Sequence, residues 1–326
     1  MDAFLKALQP LPEVAELISR VENGGCPAVL TGTQPVQRAC IGAAVAAGAG
    51  RPMVFLCADE REARQLAGDL QSLTGQIPVT LLAREWQFRP NAISSREWER
   101  SRLAALHQMA AGDAPVVVAT VDALLTRTMP PERLAALSVR LETGGRADLK
   151  KLTAQLLQAG YTRSDQVEGV GQFALRGGIL DVYSPACENP LRAEFFGDEL
   201  DTMGYFDIDT QRRSDNLTAM RILPTRETLA GLHPKGREGL LHDLTNLLSR
   251  QKRRKNLNVP LIDTLTKDIE KLENDVHSLT ADRYMALIYP EMATAADYAP
   301  QNALWVLCDH ANLQRAAKTR TEEMGL

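Results

Sequence analysis

The sequence predicts a multi-domain α/β chain: a parallel-sheet domain, an α+β, mainly antiparallel domain inserted into it, and a small helical domain. Three observations carry this. Apolar runs at 53–58, 78–82 and 115–120 alternate with amphipathic helical stretches, the pattern of strands joined by crossover helices into a parallel sheet. Between 171 and 213 short strand-like runs follow each other closely, separated by Gly, Pro and Asx turns, which reads as a curved antiparallel sheet. From 230 to 290 the chain is mostly helical, and a last apolar run, Ala303 to Asp309, returns to complete the first sheet. The expected boundaries are 1–134 for the parallel domain (completed by about 291–326), 135–216 for the antiparallel domain and 217–290 for the helical one.

Composition narrows the function classes. A chain of 326 residues, 44% hydrophobic and 24% charged, has the length for two or three domains and the make-up of a soluble protein. Its net charge of −4 gives no global electrostatic footprint for nucleic acid. Cys26, Cys40, Cys57, Cys187 and Cys308 are scattered, with no CxxC and no His at ligand spacing. That argues against a zinc site and a disulfide framework, and fits a reducing cytoplasm. No basic leader precedes an apolar core, and no apolar run approaches the length of a membrane span, so a cytoplasmic protein with no membrane partner is expected.

In chain order, apolar spacing over 1–22 predicts two short helices split by Pro10 and Pro12. Pro27 to Thr33 reads as a buried strand entering a turn, and Pro35 to Ala47 as an Ala-rich helix. This is the strand–loop–helix order of a P-loop nucleotide fold, which needs GxxxxGK[ST] so that backbone amides and a Lys hold the phosphates. Here the turn is Thr31-Gly32-Thr33-Gln34-Pro35-Val36. It lacks the Lys, and Pro35 removes an amide, a loss on the order of several kcal/mol of phosphate stabilisation. Thr31, Gly32, Thr33 and Gln34 are thus a vestigial P-loop; no cofactor and no catalytic residue are expected. Helices are predicted at 60–73 and 97–111. After a strand at 137–142, Asp148 caps a helix to Ala159, with Leu149, Leu152, Leu156 and Leu157 inward.

The central sheet is the informative part. Phe173 to Arg176 is a strand, Gly177-Gly178 a bend, and Ile179 to Tyr183 a second strand; residues 185–190 form a turn. Leu191 to Phe196 follows, with Arg192, Glu194 and Phe196 on one face and Ala193 and Phe195 on the other. Gly197-Asp198-Glu199 is a hairpin signal, and Leu200 to Asp207 the returning strand. No His, Cys pair or carboxylate pair is set up for chemistry.

The string RGGILDVYSP…PLRAEFFGDELDTMGYFDIDTQR resembles domain 2 shared by two bacterial repair families, UvrB and Mfd, the transcription-repair coupling factors. The flanks are similar more loosely: Trp86-Gln-Phe-Arg-Pro to Leu106, Val121 to Arg127, Ala219 to Glu227 and Tyr284 to Pro290. UvrB carries a working P-loop and a tyrosine-rich hairpin, whereas this chain has no tyrosine between 1 and 160. The likeness is therefore to the N-terminal UvrB-like region, domains 1a, 2 and 1b, of the Mfd family. It implies that domain 2 docks UvrA through Arg176, Arg192 and Phe196, with Glu194, Asp198 and Glu199 as complementary acidic contacts. An Arg fork pairs with carboxylates in two-pronged fashion and an aromatic anchors an interface at low entropy cost. Two alternatives stand beside this: Arg176 pairing with Asp181 inside the sheet, and Phe196 in the core with Phe195 exposed. The resemblance further implies a longer protein whose other parts bind RNA polymerase and double-stranded DNA. There an ATP- and magnesium-dependent motor drives translocation, and a C-terminal domain covers domain 2 at rest. The 326 residues themselves are read as a non-catalytic docking module. Two charge patterns complete the reading: Thr264 to Ser278 as an exposed helix of alternating sign, and Lys252, Arg253, Arg254 and Lys255 as a basic helical cluster. The latter offers a DNA-binding alternative.

Overall fold

The computed structural model describes residues 2–83, 96–274, 281–291 and 293–323. In chain order its elements are α1 (Asp2–Leu8), α2 (Pro12–Glu22), α3 (Pro35–Ala49), β1 (Met53–Cys57), α4 (Glu60–Thr74) and β2 (Val79–Leu81). There follow α5 (Arg96–Ala111), β3 (Val116–Thr120), α6 (Val121–Leu125), α7 (Pro131–Leu137), β4 (Val139–Glu142) and α8 (Leu149–Gln158). The next stretch is strand-rich: β5 (Thr162–Arg163), β6 (Gln172–Arg176), β7 (Ile179–Val182), β8 (Leu191–Phe196), β9 (Glu199–Phe206), β10 (Arg213–Leu217) and β11 (Ala219–Ile222). The chain closes with α9 (Gly236–Lys252), α10 (Val259–Asn274), α11 (Met285–Ile288), β12 (Leu304–Leu307) and α12 (His310–Glu323). Among the described residues no helix is long and apolar enough to cross a membrane. The expected likeness over Trp86 to Ser95 and the end of the helix at 275–278 lie outside the described residues.

Two compact units emerge, one from residues 1–86, 105–126 and 294–326, the other from 87–104 and 127–293. The first holds a fully parallel sheet in the order β12-β1-β3-β2. Its central strands are the apolar runs MVFLC and VVVAT, buried along nearly their whole length on both faces. Met53, Phe55 and Val118 pack with the small side chains Ala39, Ala43 and Ala46 of α3 and with Leu66 and Leu70 of α4. Asp59 caps α4 by accepting from the Glu62 amide at 2.8 Å.

Two expectations change here. Residues 27–33 do not form a buried strand: the segment is irregular, with Val29 and Leu30 exposed. The flanks of β1 are taken by β3 and β12, and Gly24, Gly25 and Pro27 disfavour a paired strand at this point. β12 does complete the sheet, but as an edge rather than a buried strand: Leu304 and Val306 face the core while Trp305 and Leu307 are exposed.

The second unit is built on a six-stranded sheet in the order β10-β9-β8-β7-β6-β5, antiparallel except between β5 and β6. One face is covered by α8 and by the antiparallel β4–β11 ribbon, forming a core of Leu152, Leu156, Phe173, Leu180, Val182, Leu191, Ala193 and Met203. Asp148 caps α8 as expected, accepting from Lys150 and Lys151. Leu157, expected inward, is exposed; it sits one residue past Leu156 and so about 100° round the helix. The strand at 219–222 returns to β4.

In the helical part, α10 buries Leu265, Asp268 and Leu272 along one side. Asp268 is thus not part of an exposed face: it accepts from the Tyr284 hydroxyl at 2.6 Å and from Arg283 at 3.1 Å. The basic cluster is not on a helical face either. α9 ends at Lys252, with Arg253 its C-cap and Arg254 and Lys255 beyond. The cations meet the negative end of the helix dipole, which is reason enough for them there.

The bend between β6 and β7 depends on its glycines. Gly177 has φ +62°, and a Cβ at Gly178 would lie 2.4 Å from the Phe195 carbonyl oxygen. That neighbour is backbone, so it moves only with β8. Gly178→Ala is expected to cost about 1–3 kcal/mol as an overpacking change, read by denaturant unfolding against wild type; an unchanged midpoint would contradict this packing.

Candidate protein-docking site

The second face of the antiparallel sheet carries side chains that alternate with the core set. Strand register aligns Ala174, Asp181, Arg192 and Gly204 in one row across β6–β9, and Arg176, Ile179, Glu194 and Thr202 in the next. The alternation of β8 is as expected: Ala193 is buried, Phe195 packs partly on the core, and Arg192, Glu194 and Phe196 lie opposite.

Asp181 is the hub. It is 1% exposed, yet accepts from Arg192 Nε at 2.7 Å and Nη2 at 2.8 Å, and from Arg176 Nη2 at 2.9 Å. A buried carboxylate needs such pairing to offset its desolvation. Arg192 spends more of its fork on Gln211, donating from Nη1 to the carbonyl at 3.3 Å and from Nη2 to Oε1 at 3.1 Å. Its guanidinium also lies 4.4 Å from the Phe206 ring centroid. Hydrogen bonding to Asp181 raises the Arg192 pKa above its ordinary value. Its side chain is 18% exposed, against 53% for Arg176. The pairing of Arg176 with Asp181, one of the sequence alternatives, is therefore present, and Arg192 is fixed to its own sheet. Sequence reading missed Gln211, a non-glycine residue held at φ +59°; the only signal was its place in the FDIDTQR turn.

Next to this network Arg213 Nη1 bridges Glu194 at 3.3 Å and Thr202 at 2.9 Å. The β8–β9 hairpin turns at Gly197, φ +66°. It lifts Phe196 into solvent, 87% exposed, with Ile179 also exposed nearby on the same face. Phe196 is thus the outward aromatic and Phe195 the inward one. Asp198 and Glu199 stand exposed at the hairpin tip; the Asp198 carbonyl holds the Ala147 amide at 2.8 Å. The result is an exposed aromatic beside a clamped cationic patch, with acidic groups at its rim.

The remaining candidates lie elsewhere. Thr31, Gly32, Thr33 and Gln34 form an irregular turn, with Thr31, Gly32 and Gln34 exposed. Gln34 caps α3 in a reciprocal box with Gln37, its own amide donating to Gln37 Oε1 at 2.8 Å, and Pro35 occupies the first helical position. The helix end is capped by its own side chains. Lys252, Arg253, Arg254 and Lys255 are all exposed.

The family model of the UvrB interaction domain matches residues 139–227, from β4 through β11 to Glu227. The transcription-repair-coupling factor of Bacillus subtilis is 28% identical over 310 residues, 94% of this chain. Over this length the chain is similar to the UvrB-like region of the transcription-repair-coupling factors. The matched segment contains the network of Asp181, Arg176, Arg192 and Gln211 as well as Phe196. The coupling factor of Escherichia coli is 32% identical over 54% of the chain, and the UvrABC system protein B of Synechococcus elongatus 27% over 65%. The chain spans 26% of the length of the Bacillus relative, 15% of the Escherichia one and 34% of the Synechococcus one.

Proposed function

We propose that this chain is a non-catalytic docking module that presents the outer face of its antiparallel sheet to UvrA in transcription-coupled nucleotide excision repair. The observation that carries the reading is Phe196: a large aromatic, almost fully exposed on the β8–β9 hairpin, on the same sheet face as the clamped Arg192 and half-exposed Arg176. Exposed aromatics flanked by Arg are the residue types that dominate interface energetics. In this reading Phe196 is the anchor and Arg176 and Arg192 set the positive field around it. Glu194, Asp198 and Glu199 meet cationic groups at the rim. Nucleotide chemistry has no part in this reading, which is supported by the missing P-loop Lys and by Pro35 at the first position of α3.

The test is calorimetric titration with UvrA. Phe196→Ala is expected to weaken binding about 30-fold or more, the scale of a 2 kcal/mol anchor, with unfolding unchanged because the side chain touches little of its own core. Undiminished binding by the variant would remove the docking assignment. A second reading rests on the four consecutive exposed cations at 252–255. It places DNA there and predicts affinity that falls steeply with salt; salt-independent retention would end it.

A further inference from the structure

The fold brings together two cysteines that the sequence leaves scattered. Cys57 ends β1 and Cys308 follows β12, adjacent parallel strands whose register runs up to Leu56 opposite Leu307. The Cys308 amide donates to the Leu56 carbonyl at 2.9 Å, which fixes the two side chains next to each other. Both are buried. Glu62, on the first turn of α4, brings its carboxylate to the same place, and the two sulfurs and a Glu62 oxygen all lie within 4.8 Å of one another. One Glu62 oxygen accepts the Ala58 amide at 3.1 Å, and the other the Arg38 guanidinium at 3.0 Å.

We propose that Cys57, Cys308 and Glu62 form a binding site for a thiophilic divalent cation of the zinc class. Four considerations support it. The ligand set is two soft sulfurs and one oxygen, which suits a d10 ion and excludes magnesium or calcium as its natural occupant. The separations need little contraction: sulfur–metal bonds of about 2.3 Å in a tetrahedron put the sulfurs about 3.8 Å apart. Charge closes as well. Two thiolates and a carboxylate are balanced by the divalent ion together with Arg38, so the buried cluster becomes neutral on loading. Finally, the site lies at the carboxyl ends of parallel strands, the place where open α/β sheets bind ligands. A cleft of about 520 Å³ lined by Arg38, Asp59, Glu62, Cys308, Asp309 and Asn312 gives an entry path and room for a water as fourth ligand. Binding releases the thiol protons to solvent as the metal–sulfur bonds form.

The experiment uses the full chain, reduced and freed of metal, with zinc followed by dialysis and cobalt(II) as the optical probe. The expected result is one equivalent of zinc per chain, and a cobalt spectrum with thiolate charge-transfer and tetrahedral d–d bands. X-ray absorption of the zinc-loaded wild type should show two sulfurs at about 2.3 Å; this needs no variant to fold. Glu62→Gln, partly exposed and tolerant, should weaken zinc at least tenfold, and Cys57→Ser with Cys308→Ser should abolish the cobalt bands. Three outcomes overturn the proposal. One is a zinc shell without sulfur; another is metal uptake that survives in the double serine variant. The third is a reduced chain that takes up no metal while glutathione disulfide oxidises the Cys57–Cys308 pair.

Discussion

Glu227→Ala is expected to lower the stability of the second unit by about 3–5 kcal/mol, the cost of removing one member of a buried ion pair. Glu227 is 0% exposed and its carboxylate faces Arg102, itself buried, at 3.1 Å. The same carboxylate takes the Thr128 hydroxyl and, at 3.3 Å, the Met129 amide, while its backbone amide donates to Glu99 and its carbonyl accepts the Tyr289 hydroxyl. One side chain therefore ties Arg102 of α5, the 128–129 segment and the loop after β11 into one piece. Alanine leaves the Arg102 charge buried without its counter-ion. Urea unfolding of the variant measures the loss, and a change under about 1 kcal/mol would mean that solvent reaches the pair. The double replacement Arg102→Leu with Glu227→Leu should recover part of it, since well-packed apolar substitutes for a buried pair are often neutral or stabilising.

The second large effect is at Asp181. Asp181→Ala should cost roughly 2–3 kcal/mol, below the full penalty of a buried pair because its partners Arg192 and Arg176 keep some contact with water. It is expected to weaken UvrA binding as well, through loss of the geometry that Asp181 imposes on both arginines. The contrast with Phe196→Ala is diagnostic: there binding falls and stability holds, whereas at Asp181 both fall together. Arg192→Glu belongs with Asp181, because it sets two carboxylates against each other inside the sheet. If Asp181→Ala unfolds like wild type, the network is solvated and does not organise the face.

The features legible in sequence are those set by local chemistry. The alternation of Arg192, Glu194 and Phe196 against Ala193 and Phe195 follows from the pleat alone, and the Gly177-Gly178 bend and the Gly197 hairpin from backbone freedom. The runs of β1 and β3 announce strands buried on both faces. What sequence did not reveal was decided by distant partners. Residues 27–33 carry strand-like apolar side chains, yet 304–307 takes the place beside β1. Asp268 reads as one charge among several until Tyr284 and Arg283 cover it. Arg192 reads as an outward fork, and only the fold shows Gln211 and Asp181 filling it. Cys57 and Cys308 look unrelated because their strands become neighbours only through the sheet order.

That sheet order also dictates when each unit can be finished during synthesis. Arg51 donates to the Asn302 carbonyl across a separation of 251 residues, at the start of the β1–β12 pairing. A ribosome emitting this chain delivers β1, β3 and β2 early, but the strand that covers the flank of β1 arrives only after the whole intervening sheet and its helices. The second unit's long segment, 127–293, is out before then, so it is in a position to fold as the first unit waits with an open edge. Until β12 docks, that edge exposes the unpaired backbone of MVFLC, an apolar strand of the kind that recruits other chains. Slow elongation or early termination between these points would therefore leave an antiparallel-sheet domain already shaped, tethered to a nascent sheet prone to aggregate.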